Sequence, residues 1–307
     1  MPTALGLAGA VNGNLAFTYN NDYRVSSLSV NGGDAVNFSY DADGAISQAG
    51  VLTVSLYPNG KLNATSIGSI DDSYAYNEFG DQTSYTARFM GGDIFTIGYS
   101  GIDKLGRITG KTETIDGVSR ARHYTYDAVG QLTDVFEDGV PRSHYGYDGA
   151  GNRTGFTGSG GTIAASFDDQ DRLLTYGVNT YTYTANGEME SKTNGSGTTQ
   201  YAYDVLGNLK MVTLPNGVVI EYIVDGMNRR IGKKVNGVLT YGFVYKDQLC
   251  PVTRLDAAGN VVATFVYGTK INVPEYMVQN GVTYKIITDH LGSPRLVIDA
   301  ESGQTYI

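Results

Sequence analysis

The sequence YAYDVLGNL, residues Tyr201–Leu209, decides the fold of this 307-residue chain. Two tyrosines stand two residues apart, so both point to the same face of a β-strand. Asp204 follows, and three residues later comes Gly207. This is the composition of a type I β-turn, with an Asx residue at the first position and Gly at the fourth. Apolar residues then resume with the same alternation at Leu209 and Met211. The phrase therefore predicts a strand, a tight turn and a second strand.

The same phrase recurs along the chain. Its copies are YTYDAVGQL, YGYDGAGNR, FSYDADGAI and, with Asn in place of Asp, YAYNEFGDQ (Tyr124–Leu132, Tyr145–Arg153, Phe38–Ile46 and Tyr74–Gln82). From Asp127 the turn position advances to Asp148 and Asp168 in steps of about twenty residues. A fixed period of this length indicates an array of structural repeats.

A second kind of reversal lies between these copies, at Asn-Gly pairs. They occur within Pro215–Gly217 and at Asn236-Gly237 and Asn280-Gly281. Such pairs favour two-residue hairpin loops, because both central positions need positive φ. With a reversal about every ten residues, the sequence predicts an all-β fold: a long antiparallel meander of hairpins. A flat ribbon would leave one face and both edges unprotected, so either twist curls it into a curved or spiralling β-strip or a partner covers it.

The regularity of the repeats divides the chain into three segments. Residues 1–37 read as degenerate N-terminal repeats, residues 38–122 as irregular repeats and residues 123–303 as a regular array. No Pro-rich or Ser-rich linker separates them. We therefore expect one continuous domain over residues 1–307.

The YxYDxxGNL phrase at this spacing resembles the YD repeat of the RHS family. This family includes bacterial rearrangement-hotspot proteins, the C components of insecticidal toxin complexes, wall-associated toxins and the teneurins. The segment TDHLGSPRLVIDAESG, Thr288–Gly303, is similar to the stretch that closes the repeats in RHS proteins and leads into their conserved core. The residues of this pre-core motif are Asp289, His290, Leu291, Gly292, Ser293, Pro294 and Arg295.

The resemblance implies a ribbon that spirals into a hollow shell. It implies a structural function, in which the chain encloses or scaffolds a C-terminal toxin or effector, or adjoins the remaining RHS core of a longer chain. The pre-core residues are then expected to shape and plug the end of the strip. In RHS proteins an aspartate-dependent self-cleavage site follows this segment, and the chain stops at Ile307 before such a motif, so no catalytic residue is carried over.

Two other functions remain open. Tyr stacks on sugar faces while its hydroxyl forms hydrogen bonds. On this ground Tyr126, Tyr147, Tyr183 and Tyr203 are candidates for binding glycans at a cell surface. The third hypothesis is a hydrolase with a site on the concave face of the strip. The chain has 31 acidic residues, but no pair is singled out for glycoside hydrolysis.

Charge and hydropathy argue against two classes of partner. The net charge of −9 disfavours nucleic acid and anionic membranes, which bind clustered Lys and Arg. The nearest approach to a cluster, Arg229-Arg230 with Lys233-Lys234, is interpreted as a solvated face. No apolar stretch is long enough for a membrane span. The family implies a secreted or delivered toxin, although the opening MPTALGLAGAVNG lacks the pattern of a signal peptide.

Residues that could carry chemistry have structural interpretations. His123 and His144 occupy equivalent places in two repeats, which favours a structural position. Cys250 is the single cysteine and cannot form an internal disulfide. The acidic group at residues 168–171 is explained by turn-forming Asp, and no zinc spacing or cofactor motif occurs.

Overall fold

The computed structural model describes residues 1–306. All elements of regular secondary structure in that range are β-strands. Strands that follow one another in sequence pair antiparallel, as where Tyr201 lies opposite Val212. This confirms the predicted all-β antiparallel meander.

Short loops separate the strands, which are numbered in chain order. The first fifteen are β1 Ala4–Leu7, β2 Gly13–Tyr19, β3 Val25–Val30, β4 Val36–Tyr40, β5 Ile46–Ala49, β6 Leu52–Leu56, β7 Leu62–Ile67, β8 Ile70–Tyr76, β9 Gln82–Phe89, β10 Gly92–Ile102, β11 Ile108–Ile115, β12 Val118–Tyr126, β13 Leu132–Glu137, β14 Val140–Tyr147 and β15 Arg153–Gly158. They are followed by β16 Gly161–Phe167, β17 Leu173–Tyr176, β18 Asn179–Tyr183, β19 Met189–Asn194, β20 Gly197–Tyr203, β21 Leu209–Thr213, β22 Val219–Val224, β23 Arg230–Val235, β24 Val238–Tyr245, β25 Pro251–Leu255, β26 Val261–Val266, β27 Tyr276–Gln279, β28 Val282–Thr288 and β29 Pro294–Asp299.

These strands belong to two compact units. The first unit contains residues 1–96, 223–234 and those from 238 onward, so it combines both ends of the chain. The second unit contains residues 97–222 and 235–237. The three repeat segments stay a prediction, because they were defined by the regularity of the sequence and not by contacts.

The hairpins use two kinds of loop. At Asn236-Gly237 both residues have positive φ, 50° and 80°, as the predicted two-residue loop requires. The prediction was wrong for Pro215–Gly217. There the Gly217 N–H donates to the Leu214 carbonyl, and the Leu214 N–H donates to the Val218 carbonyl. The Asn-Gly pair therefore completes a longer turn of the same kind as the Asp turns.

The first unit has a hydrophobic core built from strands of its two chain ends. Val11, just before β2, lies over two glycines of β23 and β24. A Cβ atom on Gly242 would lie 2.6 Å from Val11 Cγ1, and one on Gly232 would lie 2.8 Å from Val11 Cγ2. Glycine is therefore needed where the backbone is approached so closely. The other buried members of the core are Leu15, Leu28, Val30, Ile231, Val244, Cys250, Val252, Leu255 and Tyr267.

The second unit has almost no buried core. From residue 114 to residue 211, which spans β12 to β20, no side chain is fully buried. Along β20 half-buried side chains alternate with exposed ones, and Thr199, Tyr201 and Tyr203 share the half-buried face. This part of the sheet is therefore a single layer whose two faces are both reached by solvent.

Candidate functional surface

The turn after each tyrosine pair is held by its aspartate. The Asp204 carboxylate Oδ1 accepts hydrogen bonds of 2.9 Å from the backbone N–H groups of Leu206 and Asn208. The Gly207 N–H donates to the Asp204 carbonyl at 3.0 Å, with Gly207 at φ 78°. One carboxylate thus satisfies two backbone donors inside the loop, which is why the sequence places Asp there.

This arrangement is the repeated unit of the chain. In each of eight further turns, an aspartate carboxylate accepts hydrogen bonds from the backbone N–H groups two and four residues later. These aspartates are Asp41, Asp103, Asp127, Asp148, Asp168, Asp225, Asp256 and Asp289. The carboxylate of Asp168 is therefore used by its own turn, as the sequence predicts. Among residues 1–306 no three His, Cys, Asp or Glu side chains group so that they could hold a metal ion.

Three of the four candidate tyrosines use their hydroxyl within the sheet. Tyr126, Tyr147 and Tyr183 donate to the backbone carbonyls of Ile108, Leu132 and Leu173, at 2.7, 2.8 and 2.8 Å. Tyr203 lies opposite Leu209 in the β20–β21 hairpin, and burial raises its pKa. Glycan binding by these residues stays a prediction, and the three bonded hydroxyls could meet a sugar only as acceptors while these bonds last.

A cation four residues after the turn aspartate links two repeats, and this feature was not predicted from the sequence. The Arg172 Nε donates to Asp168 Oδ2 at 2.7 Å, and its guanidinium lies 5.2 Å from the centre of the Tyr183 ring. Arg107 repeats this arrangement, at 2.7 Å from Asp103 Oδ2 and 4.5 Å from the Tyr126 ring. Such contacts add cation–π attraction to a charge-assisted hydrogen bond. The sequence signal is an Arg immediately after the turn's fourth residue.

The prediction of a solvated basic face was wrong for Arg229. Its side chain is only 8% exposed, its Nε donates to Asp225 Oδ2 at 2.8 Å, and its guanidinium lies 5.3 Å from the Tyr245 ring. It is therefore a buried member of the Asp–Arg–Tyr arrangement, whereas Arg230, the next residue, is exposed.

The two repeat-equivalent histidines contact different partners. His144 Nδ1 lies 2.7 Å from Asp134 Oδ1, and this hydrogen bond is the largest cause of the lowered pKa of Asp134. The His123 ring lies 6.1 Å from the Phe136 ring, opposite it in the β12–β13 pair. Both side chains therefore take part in cross-strand pairs of the second unit.

The pre-core motif forms another Asp turn, in the first unit. The Gly292 N–H donates to the Asp289 carbonyl at 3.0 Å, and Pro294 opens β29 opposite Thr288. Residues 289–292 line a cavity of about 410 Å³ together with Tyr74, Tyr85 and Lys270. The predicted function of the motif, to shape and plug the end of the strip, stays a prediction.

Cys250 lies in the core of the first unit. Its thiol donates to the Ile271 carbonyl at 3.0 Å, and the side chain is 1% exposed. Burial raises the pKa of the Cys250 thiol to about 11. Because the thiolate is the reactive form, this cysteine is inert in the folded chain.

Comparison with known families shows which protein family has this repeated turn. A family model described as Teneurin YD-shell matches residues 2–306. The chain belongs to the teneurin YD-shell family. The resemblance to YD-repeat proteins is thereby confirmed, and the Asp turns with their tyrosines are the YD units of this shell-type, structural family.

Curated relatives of the family match over different parts of the chain. The tRNA nuclease WapA of Bacillus subtilis (strain 168) is 33% identical over 150 residues, which are 47% of this chain and 6% of WapA. Teneurin-3 of Mus musculus is 24% identical over 307 residues, which cover 95% of this chain and 11% of the teneurin. The chain therefore spans only a small part of each of these relatives.

Solved YD-shell structures have the same fold. A crystal structure of TcdB2-TccC3-TEV matches 96% of this chain with a TM-score of 0.72 at 15% identity, over 17% of its own length. The Photorhabdus luminescens Tc holotoxin pore matches 97% with a TM-score of 0.72 at 14% identity. Within residues 1–306 there is no helix of the length and apolarity needed to cross a membrane.

Proposed function

We propose that this chain forms part of a wall that keeps an enclosed polypeptide effector apart from its surroundings. The observation that carries the proposal is the single layer of the second unit, where no side chain from residue 114 to residue 211 is fully buried. A wall needs one face toward its contents and another toward solvent. Membership of the YD-shell family and similarity to a toxin complex and to WapA support this interpretation.

The proposed mechanism is steric. A sheet without a buried core has to obtain its rigidity from hydrogen bonds and cross-strand pairs. The YD units supply these bonds locally, because each aspartate closes its own turn and hydroxyls such as that of Tyr147 reach the neighbouring strand. Stability then sums over neighbouring repeats, so that the wall can extend without a thick interior.

The test is a labelling experiment on the two faces of one strand. Thr199→Cys and Gln200→Cys place a thiol on opposite faces of β20, since side chains alternate along a strand. The native Cys250 is buried and contributes little background. Each variant is made both in the isolated 307-residue chain and in the complete gene product that contains this sequence, and is treated with a bulky polymer-linked maleimide.

In the isolated chain both positions should react, because both faces of the second unit are accessible. In the complete gene product only one of the two should react, because the other face encloses the effector. Equal, rapid labelling of both positions in the complete product would overturn the proposal. Circular dichroism of each variant confirms that the sheet is retained.

A further inference from the structure

Three charged side chains meet inside the first unit. Lys285 of β28 places its Nζ 3.0 Å from Asp72 Oδ2 on β8 and 3.3 Å from Glu275 Oε2, just before β27. Their side chains are at most 2% exposed. An amine and a carboxylate are thus held in contact without access to bulk water, with a second carboxylate beside the amine.

The two oxygens of the Asp72 carboxylate have different surroundings. Oδ1 accepts hydrogen bonds from both the backbone N–H and the hydroxyl of Thr65, at 2.8 and 2.7 Å. Oδ2 faces the Lys285 amine and accepts a hydrogen bond of 3.2 Å from the Tyr85 hydroxyl. Two fixed donors on Oδ1 are the arrangement that stabilises negative charge developing on an oxygen.

Aromatic rings enclose this group. Tyr85 lies 4.8 Å from the Tyr74 ring and 5.9 Å from the Phe95 ring, measured between ring centres, and the side chain of Phe95 is fully buried. In such an apolar environment the desolvation of charged groups costs free energy even when the charges are paired. Burial acts to lower the pKa of Lys285, but Asp72 and Glu275 outweigh it and raise the pKa, so the amine starts as an ammonium.

We propose that Lys285 and Asp72 condense into an intramolecular isopeptide bond, with Glu275 as the group that carries the proton. An amide removes one positive and one negative charge from the apolar interior. The reaction therefore relieves the cost of burying the pair. It needs no oxidant, cofactor or activated donor, because its reactants are already in contact.

The atoms balance within the cluster. The Lys285 ammonium gives one proton, by way of the Glu275 carboxylate, to Asp72 Oδ2, and the free amine attacks Cγ of the neutral Asp72 carboxyl to form the N–C bond. The negative charge that develops on Oδ1 is stabilised by the two donors of Thr65. A second proton then passes from Nζ to Oδ2, which leaves as water when the C–O bond breaks. Glu275 ends as the carboxylate it was at the start.

The product would join β8 and β28 covalently. These strands come from opposite ends of the chain, since Lys285 and its partner Thr65 are 220 residues apart in sequence. A cross-link between such distant residues restricts the unfolded chain strongly. The first unit would then resist separation of its two chain ends even when its hydrogen bonds are broken.

The test is the intact mass of the purified 307-residue chain under denaturing conditions. The chain should be lighter than its sequence by the mass of one water, and proteolysis should release a branched peptide joining the segments around Asp72 and Lys285. Lys285→Met should have the full mass. Lys270→Met, at the other lysine beside Glu275, should still lose one water and serves as the matched control.

The role of Glu275 is tested separately. Glu275→Gln should retain the full mass while its circular dichroism remains that of a folded sheet. Asp72→Asn should lose the mass of ammonia instead of water, which checks the reaction even if Glu275→Gln fails to fold. Full mass in the wild-type chain after prolonged incubation, or a branch at other residues, would overturn the proposal.

Discussion

The hydroxyl of Tyr276 donates a hydrogen bond of 3.1 Å to the carbonyl oxygen of Ala49, 227 residues away in the chain. The same hydroxyl oxygen accepts a bond of 3.3 Å from the Val51 N–H. Tyr276 is 2% exposed. In the first unit, one phenol group therefore ties β27 to the backbone of the hairpin between β5 and β6.

Tyr276→Phe should lower the free energy of unfolding by about 1–2 kcal/mol, because it removes the hydrogen-bond partner of the buried Ala49 carbonyl while keeping the ring. The measurement is urea denaturation followed by circular dichroism. Tyr23→Phe, at a tyrosine that is 73% exposed, is the matched control and should leave the midpoint unchanged. Equal effects of the two substitutions would contradict the assigned bond.

Gly242→Ala should destabilise the first unit by about 1–3 kcal/mol, because the new methyl group overlaps Val11. Adding Val11→Ala should recover part of this loss, since the two sites share one contact. Gly6→Ala on β1, where an added Cβ meets nothing within 4 Å, is the control. The measurement is the thermal unfolding of Gly242→Ala, Val11→Ala, the double variant and the control Gly6→Ala. If the losses of stability of the two single variants simply add in the double variant, the contact is absent.

Asp204→Ala should lower the urea midpoint, because two backbone N–H groups of the turn lose their acceptor. Asp204→Asn should lower it less. At Asn77 the chain itself uses an amide oxygen for this purpose, accepting from the Asp81 N–H at 2.8 Å. Val205→Ala changes a fully exposed side chain in the same turn and should have no effect on the urea midpoint.

The chain should lose stability in acid as its turn aspartates are protonated. The pKa values of Asp148, Asp168 and Asp204 are lowered, and in each case the largest cause is the backbone N–H of the residue four positions later. A lowered folded-state pKa contributes stability that is present above the unfolded value of about 3.9 and is lost as pH falls through the folded value. Thermal midpoints should therefore fall between about pH 5 and about pH 2.

The matched variant for this prediction replaces the three aspartates by asparagine. It should be less stable than the wild type near neutral pH, and its midpoint should depend less on pH, because three titrating groups are gone. An unchanged acid dependence would assign the effect to other carboxylates.

Turn positions were predictable because their chemistry is local. Asp204 and Gly207 define a turn within four residues, so the sequence alone places the reversal and the strands on either side. The register of β20 against β21 follows from that turn. The family resemblance rests on the same local pattern, which explains why short motifs are enough to reveal it.

Contacts between distant segments were not predictable. The contacts of Arg229 with Asp225 and with the Tyr245 ring follow the local signal of an Arg after the turn, but the burial of its side chain in the first unit does not. The sequence around Gly242 does not show why a glycine is needed there. The reason is the contact with Val11, which comes from the other end of the chain. These features depend on which strands of the first unit face each other, and the repeat pattern does not encode that choice.

The bonds of a YD unit reach no farther than its neighbours, as where the Tyr147 hydroxyl meets the Leu132 carbonyl. An unequal crossover in the gene that duplicated or removed one whole repeat of the second unit would therefore leave the remaining junctions intact. The number of hairpins in this unit can therefore change during evolution in increments of one repeat without redesign of the rest.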